Sequence, residues 1–209
     1  MIPKVLLGYS TAGTVVAQFC DSVAGLIMHK TDRYEFLGVM REWGAYIPAN
    51  RNRLVEAFLA TDADWLFMVD CDEEFKSVVL DMLLEWAPTY KIISGWTKWP
   101  RRENGKVTFD TMVFQYNPAS KLYKTIVIPE DVVAIHNVDA VGAGSLIIHR
   151  DVFLSFDRKD AWPWFDHEKI LGIEPYGEDV TFCRRATALG WKIVVDCKAR
   201  FIHHKLLAI

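Results

Sequence analysis

Asp70-Cys71-Asp72 is the stretch of this chain with the most chemical content. It closes an apolar run, Trp65-Leu66-Phe67-Met68-Val69, and is followed by Glu73-Glu74. A short apolar run bounded by polar residues reads as a strand buried on both faces. Two carboxylates one residue apart at the end of such a strand are costly unless something positive lies near them. A hard divalent cation with oxygen ligands (Mg2+, Mn2+ or Ca2+) meets that need. A solvated acidic turn is the plainer reading of the same residues, with Glu73 and Glu74 solvated or capping the next helix.

Three further stretches carry side chains of the right kind. Residues 139–146, DAVGAGSL, place glycines where the backbone must approach closely or turn before a strand. Tyr176-Gly177-Glu178-Asp179 sets two acids in a first helical turn, where capping and dipole complementation are the simplest role. His203-His204 follows a strand-like Arg200-Phe201-Ile202. The two imidazoles would alternate to opposite faces, so only one can share a ligand with Asp72.

The elements that must hold these residues alternate between strand and helix over the first half. Strands are predicted at residues 4–8, 36–41, 65–69 and 91–95, with helices over 15–28, from Arg51 to about 61–64, and 78–86 before Pro88. That order implies a Rossmann-like, mostly parallel sheet flanked by helices. Ligands of such sheets bind at the carboxyl ends of the strands, where Tyr9-Ser10-Thr11 and Asp70-Cys71-Asp72 both fall. No G-x-G-x-x-G follows the first strand, so a dinucleotide fingerprint is absent. The second half predicts a polar, basic loop at 97–105 and strands at 107–116 and 123–128 as a small antiparallel excursion. A turn at 138–144 then feeds a strand at 145–149, and a short helix at 150–156 precedes a long loop at 161–177. A helix over 178–189 ends at Gly190, a C′ glycine, before strands at 191–196 and 199–204.

Composition excludes several classes. The chain has 209 residues, 51% hydrophobic and 24% charged, enough for one α/β domain. A formal net charge of −3 argues against a broadly basic nucleic-acid binder. Cys20, Cys71, Cys183 and Cys197 show no C-x-x-C spacing and read as reduced thiols of a cytoplasmic protein. No stretch is long and apolar enough to span a bilayer.

Taken in order, Arg51-Asn52-Arg53, the D-x-D of Asp70 and Asp72, DAVGAGSL, YGED and the late histidine resemble the GT-A fold nucleotide-sugar glycosyltransferases, family 2-like and of small phage or bacterial type. The resemblance spans nearly the whole chain. It implies one GT-A domain over residues 1–209, with 1–95 binding the nucleotide and 96–209 the acceptor. It implies a metal, Mn2+ or Mg2+, on Asp72 and His203, with Asp70 reaching the ribose or a metal-bound water; imidazole beside carboxylate favours Mn2+. Tyr9, Ser10 and Thr11 would hold the base and ribose of a UDP- or GDP-linked donor, and Arg51 or Arg53 the base or phosphates. Gly142 and Gly144 would let the backbone approach the sugar or acceptor. Asp179 matches the inverting enzymes' base, with Glu178 as the alternative or a sugar-hydroxyl ligand.

The acceptor would be gripped by residues 96–105, WTKWPRRENG, and by 162–176. Lys98, Arg101 and Arg102 interleaved with Trp96 and Trp99 suit a polyanion, and Lys121, Lys124 and Lys205 would extend the patch. An acceptor hydroxyl on 5-hydroxymethylpyrimidine DNA is therefore one expectation, and a glycan hydroxyl another. Two other classes compete. A nucleotidyltransferase would want Lys or Arg in the loop at 8–13, which has neither. A non-catalytic sugar- or nucleic-acid-binding module would bind without turnover.

Overall fold

The computed structural model describes residues 2–103, 106–168 and 176–204, and the side chains of these apart from 100–103 and 106–108. The first half runs β1 (Lys4–Thr11), α1 (Ala17–Met28), β2 (Glu35–Trp43), α2 (Ile47–Leu59), β3 (Trp65–Val69), β4 (Glu73–Phe75) and α3 (Val79–Leu84). The second half runs β5 (Ile92–Glu103), β6 (Lys106–Thr111), β7 (Val113–Asn117), β8 (Leu122–Thr125), β9 (Ala134–His136), β10 (Ala140–Val141), β11 (Ser145–His149), α4 (Arg150–Leu154), α5 (Glu178–Ala188) and β12 (Ile193–His203).

The central sheet is ordered β2-β1-β3-β11-β5-β12-β4. β1 pairs in parallel with β2 and β3, and β5 with β12, while β11 and β4 run against their neighbours. The strands that begin the chain therefore point their carboxyl ends to one edge, where β1 and β3 deliver Thr11 and Asp70. All five residues of β3 are buried, as its unbroken apolar run requires. Leu66 and Met68 face one core with Leu54, Val55 and Phe58 of α2. Trp65, Phe67 and Val69 face a second core with Phe19 of α1 and Leu80 and Leu83 of α3. The antiparallel excursion is a separate sheet, β10-β7-β8. Gly190 sits past the end of α5 at φ +91°, a left-handed conformation that glycine adopts without strain.

Five expectations change. The strand expected over 107–116 is two, β6 pairing with β5 of the central sheet and β7 lying in the separate one. Helix α2 starts at Ile47, a turn before Arg51, because Pro48 lies in its first turn, where a missing N–H costs nothing. Residues 97–103 are not a loop. β5 runs on to Glu103 and pairs antiparallel with β6, a partner that satisfies its backbone despite the polar sequence; residues 104 and 105 lie outside the described residues. The two expected final strands are one, β12, with a register irregularity between Val195 and Arg200. Glu73 is neither solvated nor a helix cap, while Glu74 stays partly exposed. They form β4 against β12, with Glu73 directly opposite His203 and 2% exposed. Among the described residues, no helix is long and apolar enough to cross a membrane.

Candidate active site

The Asp70-Cys71-Asp72 turn is fixed by its backbone. The Asp70 N–H donates to Gly144 O (3.1 Å), Glu73 N–H to Asp70 O (3.1 Å), Val16 N–H to Cys71 O (3.2 Å) and His204 N–H to Asp72 O (2.8 Å). Besides the turn's own bond, three other segments, at Gly144, Val16 and His204, therefore hold it at the carboxyl edge of the sheet. Gly144 is required by this packing: a Cβ there would lie 2.6 Å from Asp70 Oδ2. Gly142 is less tightly placed, its added Cβ falling 3.1 Å from Met112 Cβ.

Arg51 is the hub. Its guanidinium donates to Asp70 Oδ1 at 2.9 Å and to Glu178 Oε1 at 2.6 Å, and its side chain is 6% exposed. Burial works against the charge, but Asp70, Glu178 and Asp179 more than offset it and raise its pKa. Asp179 follows Glu178 in the first turn of α5. Burial first, then the Glu178 charge, push its carboxyl up to about 6, against the pull of Arg51 and of the Val180 N–H, which donates to Asp179 Oδ1 at 2.7 Å. A narrow crevice lined by Tyr9, Ser10, Arg51, Asp70 and Ala143 runs from the end of β1 to Arg51 and Asp70.

Asp72 turns the other way. Its Oδ2 lies 3.1 Å from His203 Nε2, and the His203 ring is stacked on Trp99 with centroids 4.4 Å apart. His204 instead meets Glu74 Oε2 at 2.7 Å, so the histidines do part to opposite sides. Glu73 sits beneath this pair. Burial, then the Asp70 and Asp72 charges, push its carboxyl up to about 9, with a Thr97 hydrogen bond pulling down. Glu73 Oε2 and His203 Nδ1 are buried and have no hydrogen-bond partner among the described residues.

A cation's fit rests on the Asp72–His203 pair. A carboxylate oxygen and an imidazole nitrogen in contact are a donor pair suited to Mn2+. Asp70 commits one oxygen to Arg51 and offers the other. Among the described residues, no three His, Cys, Asp or Glu side chains gather tightly enough to hold an ion unaided. A cation held by this pair would therefore have to take its remaining ligands from outside these side chains.

The other expected residues are spread more widely. Thr11 is 4% exposed, and its hydroxyl donates to Thr14 O (2.8 Å) while accepting from Gly13 N–H (3.1 Å), so it shapes the loop. Tyr9 packs on Phe19, ring centroids 4.9 Å apart. Arg53 points away from Arg51, to Glu42 Oε2 at 2.8 Å and Asn50 Oδ1 at 2.5 Å. Trp96 is 2% exposed and offers no stacking face to solvent. The Arg101 and Arg102 side chains and Lys205 lie outside the described residues.

Two residues escaped the sequence reading. Asn52, 2% exposed, donates to Pro48 O and Phe165 O (both 2.7 Å) and accepts from Trp164 N–H (3.2 Å), clamping the segment that leads toward Tyr176. Its signal was a poor helix former in mid-helix. Glu73 carried no local signal, because the strand that buries it, β12, is distant in the sequence.

This architecture and its carboxyl-edge site define a GT-A-like fold. Two solved structures resemble it. The crystal structure of A197 from STIV superposes with a TM-score of 0.59 at 16% identity, covering 97% of this chain and 86% of that one. The crystal structure of GalNAc-T7 with UDP, GalNAc and Mn2+ gives 0.64 at 12% identity, covering 99% of this chain and 44% of that one. The chain thus spans less than half the length of GalNAc-T7. No family model and no curated protein matches the sequence.

Proposed function

We propose that this chain is a metal-dependent glycosyltransferase that moves a sugar from a UDP- or GDP-linked donor to an acceptor hydroxyl, with inversion. The observation that carries the reading is the Arg51 bridge, which brings Asp70 at the end of β3 to Glu178 and hence beside Asp179 at the start of α5. The residues proposed to handle the diphosphate and to accept the proton are thereby linked through one guanidinium on a GT-A-like fold.

In this reading Ser10, Tyr9 and Asp70 receive the nucleoside, and Asp72 and His203 hold Mn2+. A bound Mn2+ supplies positive charge for the leaving diphosphate. Arg51 holds Asp70 and Glu178 in place and lends charge to the same region. Asp179 takes the acceptor hydroxyl's proton; a carboxylate that titrates near 6 is a stronger base than usual yet mostly ionised at pH 7. Glu178, tied to Arg51, binds a sugar hydroxyl. The free cysteines Cys20, Cys71, Cys183 and Cys197 support a cytoplasmic setting. Hydroxymethylated DNA and glycans are the two acceptors to screen.

The test is a panel of UDP- and GDP-sugars with Mn2+, read as release of the nucleoside diphosphate. Release from one donor, abolished by chelator, is expected. No binding or turnover of any donor with any divalent cation overturns the reading. Donor binding without turnover would instead favour the binding module.

A further inference from the structure

Beside the candidate site lies a groove of about 620 Å³ that takes in His203 and, from the expected acceptor loop, Trp96 and Lys98. Its floor is Phe75, Val79, Met82 and Phe201, and Val78, Phe109 and Ile202 stand on its margin at 40%, 63% and 56% exposure. Large apolar side chains so exposed and so clustered mark a binding surface rather than random surface. The volume is that of a small-ligand pocket.

The rim is basic. Lys76, Lys98, Lys198 and Arg200 line it, against two carboxylates: Glu74 in the groove, and Glu130 beside it. Glu130 is already shared by Lys98 and Arg200, and Glu74 is bonded to His204. The ammonium groups of Lys76 and Lys198 have no partner among the described residues. Lys98 and Arg200 also lie over the Trp96 ring, at 4.8 and 4.9 Å from its centroid, which fixes both cations at the mouth.

We propose that this groove binds a lipid phosphate, its single long apolar chain laid between Phe109, Ile202 and Met82 and its phosphate held by Lys76 and Lys198. The charge of the rim calls for an anion, and the floor for a long apolar body. A nucleic-acid strand fits less well, because it needs a series of exposed stacking faces, and among the described lining residues Phe109 alone offers one: Phe75 and Phe201 are at most 5% exposed, and Trp96 is buried. The groove shares His203 with the candidate cation site, so the bound head group would lie next to the donor diphosphate. The proposal concerns binding and stands whether or not sugar transfer is the reaction.

The experiment is calorimetric titration of the metal-free protein with dodecyl phosphate below its micelle concentration, with dodecanol, inorganic phosphate and a single-stranded oligonucleotide as separate probes. Saturable one-to-one binding of dodecyl phosphate is expected, at least tenfold tighter than dodecanol or phosphate. Lys76→Glu with Lys198→Glu should weaken it tenfold or more and leave dodecanol nearly unchanged. Ile202→Asp should weaken both chain-bearing probes. These side chains are on the surface, and unchanged thermal unfolding of each variant establishes that it is folded. Absence of saturable binding, binding indifferent to all three substitutions, or tighter binding of the oligonucleotide would overturn the proposal.

Discussion

Glu73→Gln should stabilise the protein at neutral pH, although it alters a buried residue beside the candidate site. In the unfolded chain the carboxyl titrates near 4.5; in the fold it is held at about 9, chiefly by burial. Below about 4.5 both states carry the proton, and the contribution of Glu73 to stability is fully present. As pH rises further the unfolded state ionises while the folded one does not, so stability is lost until the folded carboxyl titrates near 9. The slope is about 1.4 kcal/mol per pH unit. By pH 7 this amounts to roughly 3 kcal/mol, or about 6–12 °C in Tm for a chain of this size. Glutamine has the shape of the protonated acid and does not titrate. Urea unfolding at pH 5, 6, 7 and 8 in chelator should therefore show the variant pulling ahead of the native protein as pH rises, with the difference near zero at the acid end. A variant less stable by the same amount at every pH would refute the reasoning, because it would mean that Glu73 is held ionised by a favourable partner.

Three further outcomes follow from the site. Asp179→Asn should lower turnover by roughly 10²–10⁴-fold, the usual worth of a general base, and native kcat/KM should fall as pH drops through about 6, where Asp179 takes up its proton. A pH–rate profile with no limb near that value would remove it from the role. His203→Ala should weaken Mn2+ binding by roughly tenfold or more, measured by the electron spin resonance of free Mn2+; unchanged affinity would separate His203 from the cation. Asn52→Ala leaves Phe165 O and Trp164 N–H unpaired in the interior at about 1–3 kcal/mol each, so thermal unfolding should shift down by several degrees, and a shift within error would mean that the clamp is dispensable.

How much of this was legible depended on whether the determining contact was local. β3 could be read because an unbroken apolar run needs both of its faces covered, and the acids that end it had to lie at the sheet's carboxyl edge. Gly190 could be read because a helix end is set within one turn. Arg51 and Arg53 could not be ranked beforehand: two residues apart on a helix they face different ways, and only the register of α2, set by Pro48, decides which one meets Asp70. Glu73 was misread for a related reason. Adjacent acids after a strand read as solvated, and what buries Glu73 is β12, some 130 residues further on. The polar run 97–103 likewise hid a strand whose partner, β6, supplies the hydrogen bonds.

The central claim is that Asp179 receives a proton in a site that binds its donor by other groups. The most direct measurement compares the native protein with Asp179→Asn, using the best donor and Mn2+, for donor affinity by calorimetry and for release of the nucleoside diphosphate by turnover. The account predicts equal affinity and turnover lost in the variant. Turnover retained at the native rate, with affinity unchanged, would contradict it.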